Sequence, residues 1–307
     1  MTSHAETGIL AGMSFEIVPA FDISMAEQAR IGNAAFAGYV GGWTEINAET
    51  NARFLCTQGA DLYYSRFVRR SDRLAGFGYI NRINTVLRLA GMAILPEARG
   101  SGAAGFLLEH LLDEAKERGD RLMMLEVIEQ NPRAHRFYLR HGFEEVDRLF
   151  GWRRAAATPL SVSTDVKEVN LLDALRMPNA HEYPQLPWQV SRHSLAKAGV
   201  TRAYRAGSAC VVLGDLDVAP IHVLGFLGDA AGSTPWDALR AILTAILARF
   251  PDREFLAAPK FPAACGEQIF APLGFAREPI SQFLMRRELA PAFRAAAVED
   301  PLRRNEQ

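Results

Sequence analysis

The segment that most restricts the fold is a short turn between two regular runs. Residues 86–95 read as an apolar strand, and Ala104, Leu107, Leu108, Leu111, Leu112 and Ala115 recur at helical spacing before the stop signal Arg118-Gly119. Between them lies Pro96-Glu97-Ala98-Arg99-Gly100-Ser101-Gly102-Ala103-Ala104. A helix that starts inside such a turn leaves several backbone N–H groups pointing one way, and glycine at 100 and 102 lets an anion come close to the chain. With Arg99 beside a positive helix end, the turn suits a pyrophosphate. By itself it suits a tight strand-to-helix turn with a solvated arginine equally well.

The elements around the turn follow a regular order. A strand at 15–19 precedes a helix at 25–37, a loop with Gly38, Gly41 and Gly42, a helix at 48–58, and strands near 61–67, 74–83 and 86–95. After the helix comes the short apolar run Leu122-Met123-Met124-Leu125-Glu126-Val127-Ile128. Pro132 then opens a helix that ends at His141-Gly142, and a strand at 145–153 follows. This order belongs to the α/β or α+β class, a mixed central β-sheet flanked by helices. The second half repeats its tail: strands near 201–205, 208–213 and 221–227, a helix opened by Ser233-Thr234-Pro235 with Thr234 as N-cap, a strand at 254–258, a helix, and Gly274-Phe275. An internal duplication is expected, with a tail at 1–13, a first domain at 14–155, a linker at 156–165, a second domain at 166–290 and a tail at 291–307.

Composition narrows the function. The 307 residues are 49% hydrophobic and 22% charged, with 34 basic against 35 acidic residues, so no global field draws the chain to nucleic acid. No stretch reaches about 18 uninterrupted apolar residues and the start lacks a signal-peptide pattern, so no membrane partner is expected. Cys56, Cys210 and Cys265 show no C-x-x-C spacing, which fits a reducing cytoplasm. The seven histidines show no ligand spacing, and His141 fits a helix cap; no metal is expected.

Gly100-Ser101-Gly102-Ala103-Ala104-Gly105 also spells G-x-G-x-x-G, with Glu126 at about the distance a dinucleotide fingerprint requires. In that fingerprint the strand runs almost directly into the first glycine and the acidic residue ends its strand. Here Pro96 to Arg99 intervene, and Val127-Ile128 follow Glu126. A dinucleotide-dependent oxidoreductase is therefore disfavoured. A second motif decides: Asn131-Pro132-Arg133-Ala134-His135-Arg136-Phe137-Tyr138-Leu139-Arg140-His141-Gly142-Phe143, of form N-x2-A-x3-Y-x3-G-F. Together with Ile94-x-Pro96-Glu97-x-Arg99-Gly100-x-Gly102, it resembles the GCN5-related N-acetyltransferase (GNAT) family over residues 14–155.

The resemblance implies an acyl-CoA N-acyltransferase fold in tandem, acetyl-CoA as co-substrate, and transfer of its acetyl group by direct attack of a primary amine on a small molecule or peptide. It implies that Ala93, Ile94 and Leu95 pair with the pantetheine amides, that Arg99, Gly100, Ser101, Gly102, Ala103 and Ala104 cradle the pyrophosphate, and that a backbone N–H in the 92–95 strand holds the oxyanion. The last loop residue, often glycine in the family, is Ala104. Gly91 marks either a bulge that opens the strand or a packing glycine. Tyr138 matches the family's general acid, and otherwise reads as a core aromatic. Glu126 is similarly placed to the base of ribosomal-protein acetyltransferases in the family. Asn131 fits a pantetheine ligand and an N-cap alike. Tyr39 and Trp43 lie where the family shapes acceptor specificity, as pocket walls or core. Arg133, His135 and Arg136 read as a solvated face.

Aligned on Gly274-Phe275, the second half sets Phe270 opposite Tyr138, Ala263 opposite Asn131 and Ala258 opposite Glu126. Its turn at 228–233 lacks the arginine. It resembles the degenerate partner of tandem family members and is expected to act as a scaffold: a cover for the first domain, a wall of the acceptor pocket or a homodimer surface. One cofactor per chain is expected. The competing reading is a non-catalytic acyl-CoA-binding or sensing protein.

Overall fold

The computed structural model describes residues 7–10, 13–156, 165–176, 187–228 and 235–289. The Ser233-Thr234 cap, most of the 228–233 turn and most of the linker lie outside these residues. The first half comprises β1 (Thr7–Leu10), β2 (Met13–Pro19), α1 (Met25–Phe36), α2 (Ala48–Gln58), β3 (Asp61–Arg70), β4 (Arg73–Ile83), β5 (Val86–Ile94), α3 (Ala103–Glu117), β6 (Leu122–Ile128), α4 (Pro132–Arg140) and β7 (Glu144–Arg154). The second half adds β8 (Lys167–Val169), α5 (Leu171–Arg176), α6 (Arg192–Leu195), β9 (Arg202–Ala206), β10 (Ala209–Leu213), β11 (Ile221–Leu227), α7 (Pro235–Arg249), β12 (Phe255–Pro262) and β13 (Ala276–Glu288).

Local chemistry sets the helix ends. Ser24 accepts from Glu27 N at the start of α1, and Asn47 and Thr50 cap α2 reciprocally. Asn131 accepts from Ala134 N at 3.2 Å, with Pro132 as the first residue of α4. Helix α3 buries Leu107, Leu108, Leu111, Leu112 and Ala115 on one face of the sheet, whereas Ile31, Ala35 and Leu55 of α1 and α2 cover another core with Phe67 and Phe77. Helices thus enclose the mixed sheet of the first half, as the element order predicts.

The strands form a thirteen-stranded sheet in the order β1-β2-β3-β4-β5-β6-β13-β7-β12-β11-β10-β9-β8. The pairs β5–β6 and β11–β12 are parallel and the others antiparallel. Strand β13, from the end of the second half, lies between β6 and β7 of the first. Gln282 to Glu288 pair with Ile128 to Leu122 on one side, while residues from Ala276 to Arg286 pair with β7 on the other. The sheet therefore runs across the expected boundary at 156–165.

The duplication is written in backbone detail. Leu87 pairs with Met123 in the first half as Ile221 pairs with Phe255 in the second, a match that sets Gly225 opposite Gly91 and His222 opposite Arg88. Tyr79 pairs with Gly91 and Ile80 with Leu89, so Ala90 bulges; Val212 pairs with Gly225 and Leu213 with Val223, so Leu224 bulges. Gly142 and Gly274 take φ of 74° and 77°. Phe143 N donates to Tyr138 O, and Phe275 N donates to Phe270 O.

In both halves the parallel strands separate after a few residues: β5 and β6 pair only to Leu89–Leu125, and β11 and β12 only to His222–Leu256. The two gaps differ. A Cβ on Gly225 would meet the Leu195 side chain at 3.0 Å and the Val190 carbonyl at 3.3 Å, and both residues are buried. A Cβ on Gly91 would meet nothing nearer than Tyr79 at 4.0 Å. The second gap is filled by the chain's own segment 188–195; the first is open.

Candidate functional site

The strand-to-helix turn at 96–104 has the geometry its glycines permit. Gly100 and Gly102 sit at φ of 82° and 96°, a region costly for side-chain-bearing residues, and Gly102 precedes the first residue of α3. The first bond inside α3 runs from Phe106 N to Gly102 O, so the amides of Ala104 and Gly105 project from the helix end. Ser101 Oγ donates to Ala98 O at 2.7 Å and sits 3.4 Å from Ala103 N, bracing the turn from within. Arg99 also braces it: its guanidinium donates to Ile94 O at 3.2 Å and to Ala35 O at 2.9 Å, tying the turn to the ends of β5 and α1. A cleft of about 740 Å³ opens over Arg99, Gly100, Gly102 and Ala104 and runs along Met92, Ala93 and Ile94 toward α4.

The β5 edge of the cleft offers backbone groups. Leu95 N donates to Ala75 O on β4 at 2.8 Å, which turns Leu95, and two residues earlier Ala93, toward that neighbour. The amides of Met92 and Ile94 then face the gap left by β6. The bulge that accompanies the opening is at Ala90, beside Gly91. Leu95 itself is buried against the α1 core, so of the three residues matched to pantetheine, Ala93 and Ile94 reach the cleft wall.

A second cavity, about 310 Å³, lies between α1, α2 and the inner faces of β4 and β5. The two cavities share Phe36, Tyr39, Met92, Asn131, Ala134 and Tyr138. Glu126 lines the second one. Tyr138 is 9% exposed, and its phenol is pushed above its ordinary value by burial, with the neighbouring Tyr39 adding to the effect. Tyr39 is itself raised by burial and shares a hydrogen bond with Asn131. His141 closes α4, its Nδ1 2.8 Å from Phe137 O. Arg133, His135 and Arg136 divide: His135 meets Glu145 at 2.7 Å and stacks on Phe283 of β13, while Arg133 and Arg136 line the larger cleft.

The Glu126 side chain is 2% exposed and paired with the equally buried Arg88, Nε to Oε2 at 2.8 Å. Gln189 of the second half brings Nε2 to 3.5 Å from the same oxygen, and Gln58 takes Arg88 Nη1 at 3.4 Å. The other oxygen, Oε1, is buried without a hydrogen-bond partner. The carboxylate is thus anchored by one oxygen, and the acceptor capacity of the other is unmet by the protein. Burial pushes the Lys260 amine of β12 down to about 8, and the Arg88 charge adds to the effect. Sequence reading missed Arg88, Gln58 and Gln189. The signal for Arg88 was a single charge inside the apolar run Val86-Leu87-Arg88-Leu89.

The dinucleotide alternative fails on geometry. A tight turn, Pro96–Ala98, and Arg99 separate β5 from Gly100, and Glu126 is held in mid-strand by Arg88. Among the described residues no His, Cys, Asp or Glu group has metal-site clustering, and no helix is long and apolar enough to cross a membrane.

A model of the acetyltransferase (GNAT) family matches residues 31–143. The chain is 33% identical over 92 residues to the [ribosomal protein bS18]-alanine N-acetyltransferase of Salmonella typhimurium, a stretch that covers 30% of this chain and 62% of that protein. It spans less than two thirds of the length of the curated relatives it matches. Among solved structures, a GCN5-related N-acetyltransferase from Sphaerobacter thermophilus superposes with a TM-score of 0.58 at 15% identity, covering 91% of this chain and 97% of that one. A tandem GNAT protein from the clavulanic acid biosynthesis pathway superposes with a TM-score of 0.56 at 14% identity, covering 92% and 100%. These likenesses establish the fold along nearly the whole chain.

Proposed function

We propose that the chain, whose residues 31–143 match the model of the GNAT acetyltransferase family, moves the acetyl group of acetyl-CoA to a primary amine by direct attack. The observation that carries this reading is the meeting of the two cavities at Met92, Asn131 and Tyr138, where a co-substrate from one side meets an acceptor from the other. The amides at the start of α3, the fixed positive φ of Gly100 and Gly102, and the charge of Arg99 fit a pyrophosphate. The Met92 and Ile94 amides fit the pantetheine and the thioester oxygen.

In the chemistry that follows, the acceptor nitrogen attacks the thioester carbonyl, a C–N bond forms, and the charge on oxygen falls to a backbone amide of β5. Glu126 Oε1, directly or through one water, takes the proton lost by nitrogen. The C–S bond breaks, and Tyr138 Oη protonates the leaving thiolate, a role suited to a buried phenol that keeps its proton through neutral pH. Asn131 caps α4 and steadies Tyr39, which places Tyr138 indirectly. The second half serves as scaffold: Phe270 has no hydroxyl where Tyr138 has one, and segment 188–195 fills its gap.

Calorimetric titration with acetyl-CoA, followed by thiol release across a panel of amines, tests the reading. One acetyl-CoA per chain and amine-dependent CoA release are expected. Tight acetyl-CoA binding with no amine able to accelerate release would leave a non-catalytic binding protein instead.

A further inference from the structure

The smaller cavity constrains what enters it. Its walls are a connected run of rings: Trp43 stacks on Phe36 at 4.7 Å, Tyr39 and Phe77 meet Phe36 edge-on at 5.2 and 6.1 Å, Phe77 touches Tyr79 at 4.7 Å, and Phe54 stands against Trp43 at 6.4 Å. Phe54 is 42% exposed and forms the rim. Several of the polar side chains on these walls are already committed to the protein. Gln28 donates to the carbonyls of Ala20 and Ile23 and accepts from Tyr79 Oη; Asn51 donates to Met25 O; the Trp43 indole donates to Asn33.

Two charge facts complete the description. Among the described residues, Glu126 is the only ionisable acid or base on the cavity wall apart from the tyrosines, and its Oε1 has no hydrogen-bond partner there. The nearest cation behind it, Arg88, is already bound to Glu126 and Gln58. Among the described residues, the cavity therefore offers one carboxylate for one amine, a wall rich in aromatic rings for the rest of the molecule, and no lining cation for a substrate carboxylate. A volume of about 310 Å³ is about twice that of a ~150 Å³ cavity that takes one benzene ring, enough for a single ring system with a short arm. A peptide would bring an amide every residue, each needing a partner, and the wall side chains of Gln28, Trp43 and Tyr79 are already bonded within the protein.

Resting on the amine-acetylation reading above, we propose that the acceptor is a small primary monoamine carried on a flat apolar body, of the arylalkylamine class. Its amine meets Glu126 Oε1 and its ring lies among Phe36, Trp43, Phe54 and Phe77. A second ammonium would lie against these rings without a carboxylate, and a carboxylate would lie there without a cation; both are disfavoured by desolvation. Face-on attraction of a cation to the rings is the effect that would favour a diamine instead, so a diamine belongs in the test.

The full-length protein is assayed for CoA release with 2-phenylethylamine, phenylalanine, cadaverine and a neutral tripeptide with a free N-terminus, and binding of each amine is measured by calorimetry in the absence of turnover. We expect kcat/KM for 2-phenylethylamine at least 100-fold above phenylalanine, which adds only a carboxylate to the same body, and at least 100-fold above cadaverine and the tripeptide. Phe54→Ala, a change at the exposed rim, should raise the KM for 2-phenylethylamine about 10-fold and leave acetyl-CoA affinity unchanged. Comparable or faster turnover of phenylalanine, cadaverine or the tripeptide overturns the acceptor class and leaves acetyl transfer standing. Saturable binding of 2-phenylethylamine without release of CoA from any amine supports the cavity's specificity and overturns acetyl transfer. Failure of 2-phenylethylamine to bind overturns the acceptor class outright.

Discussion

The proton on Tyr138 is held more firmly than on a free phenol, because burial penalises the charged form and Tyr39 adds to that penalty. The protonated phenol is the form that can act as an acid. A folded-state value above the ordinary ~10 means that this form, and the stability that goes with it, is complete below pH 10 and is lost as pH rises beyond it. The kcat–pH profile should therefore show no alkaline loss below pH 10; a limb well below 10 that vanishes in Tyr138→Phe would contradict the assignment. Tyr138→Phe should lower kcat by about 100-fold, within the usual range for acid catalysis, and change acetyl-CoA affinity little, as read by steady-state kinetics and calorimetry. Arg88 lends itself to a stability test. Arg88→Met leaves the Glu126 charge buried and unpaired, a loss of about 3 to 5 kcal/mol by denaturant titration, much of which Glu126→Gln in the same chain should restore. Tyr138, Asn131 and Glu126 were legible in the sequence because they sit within thirteen residues of one another in a local motif. Their partner Arg88 was not, since it lies 38 residues before Glu126 and reaches it only through the register of two parallel strands.

At the level of elements, two glycines at matched positions do opposite things. Gly91 borders open space and Gly225 borders packed chain, so the same bulged, splayed strand pair makes a cleft in one half and a filled core in the other. Gly225→Ala should press on Leu195 and the Val190 carbonyl and cost about 1 to 3 kcal/mol, measured as a shift in the denaturation midpoint, while the chain still binds one acetyl-CoA. A second equivalent of acetyl-CoA bound by this variant would mean that the filled gap is a latent site. The strand-turn-helix at 86–117 was legible because proline, glycine and helical spacing act locally; α2 and β6 fall where the pattern places them. Segment 188–195 was not, because it lacks periodicity and its role is set by the gap it occupies rather than by its own propensity.

For the molecule as a whole, β13 joins the two copies more tightly than a linker could. It supplies the neighbour of both β6, which carries Glu126, and β7. A fragment ending at residue 156 would expose both strand edges and lose Phe283 and Met285 from the first core, so it should be insoluble or unfolded by circular dichroism, and the full chain should unfold in one transition. A soluble, active 1–156 fragment would refute this. The alternation of side chains along 276–288 says which face is buried but not which strands lie alongside, and so the duplication was legible while the exchange between its copies was not. The same strand has a consequence for synthesis. About 120 residues separate Arg154 from Ala276, so at ~5–20 residues per second β6 and β7 leave the ribosome roughly 6 to 24 s before the strand that belongs between them. The half made first, which holds the open cleft, is finished last, and over that interval the nascent chain carries two unpaired strand edges in need of shelter.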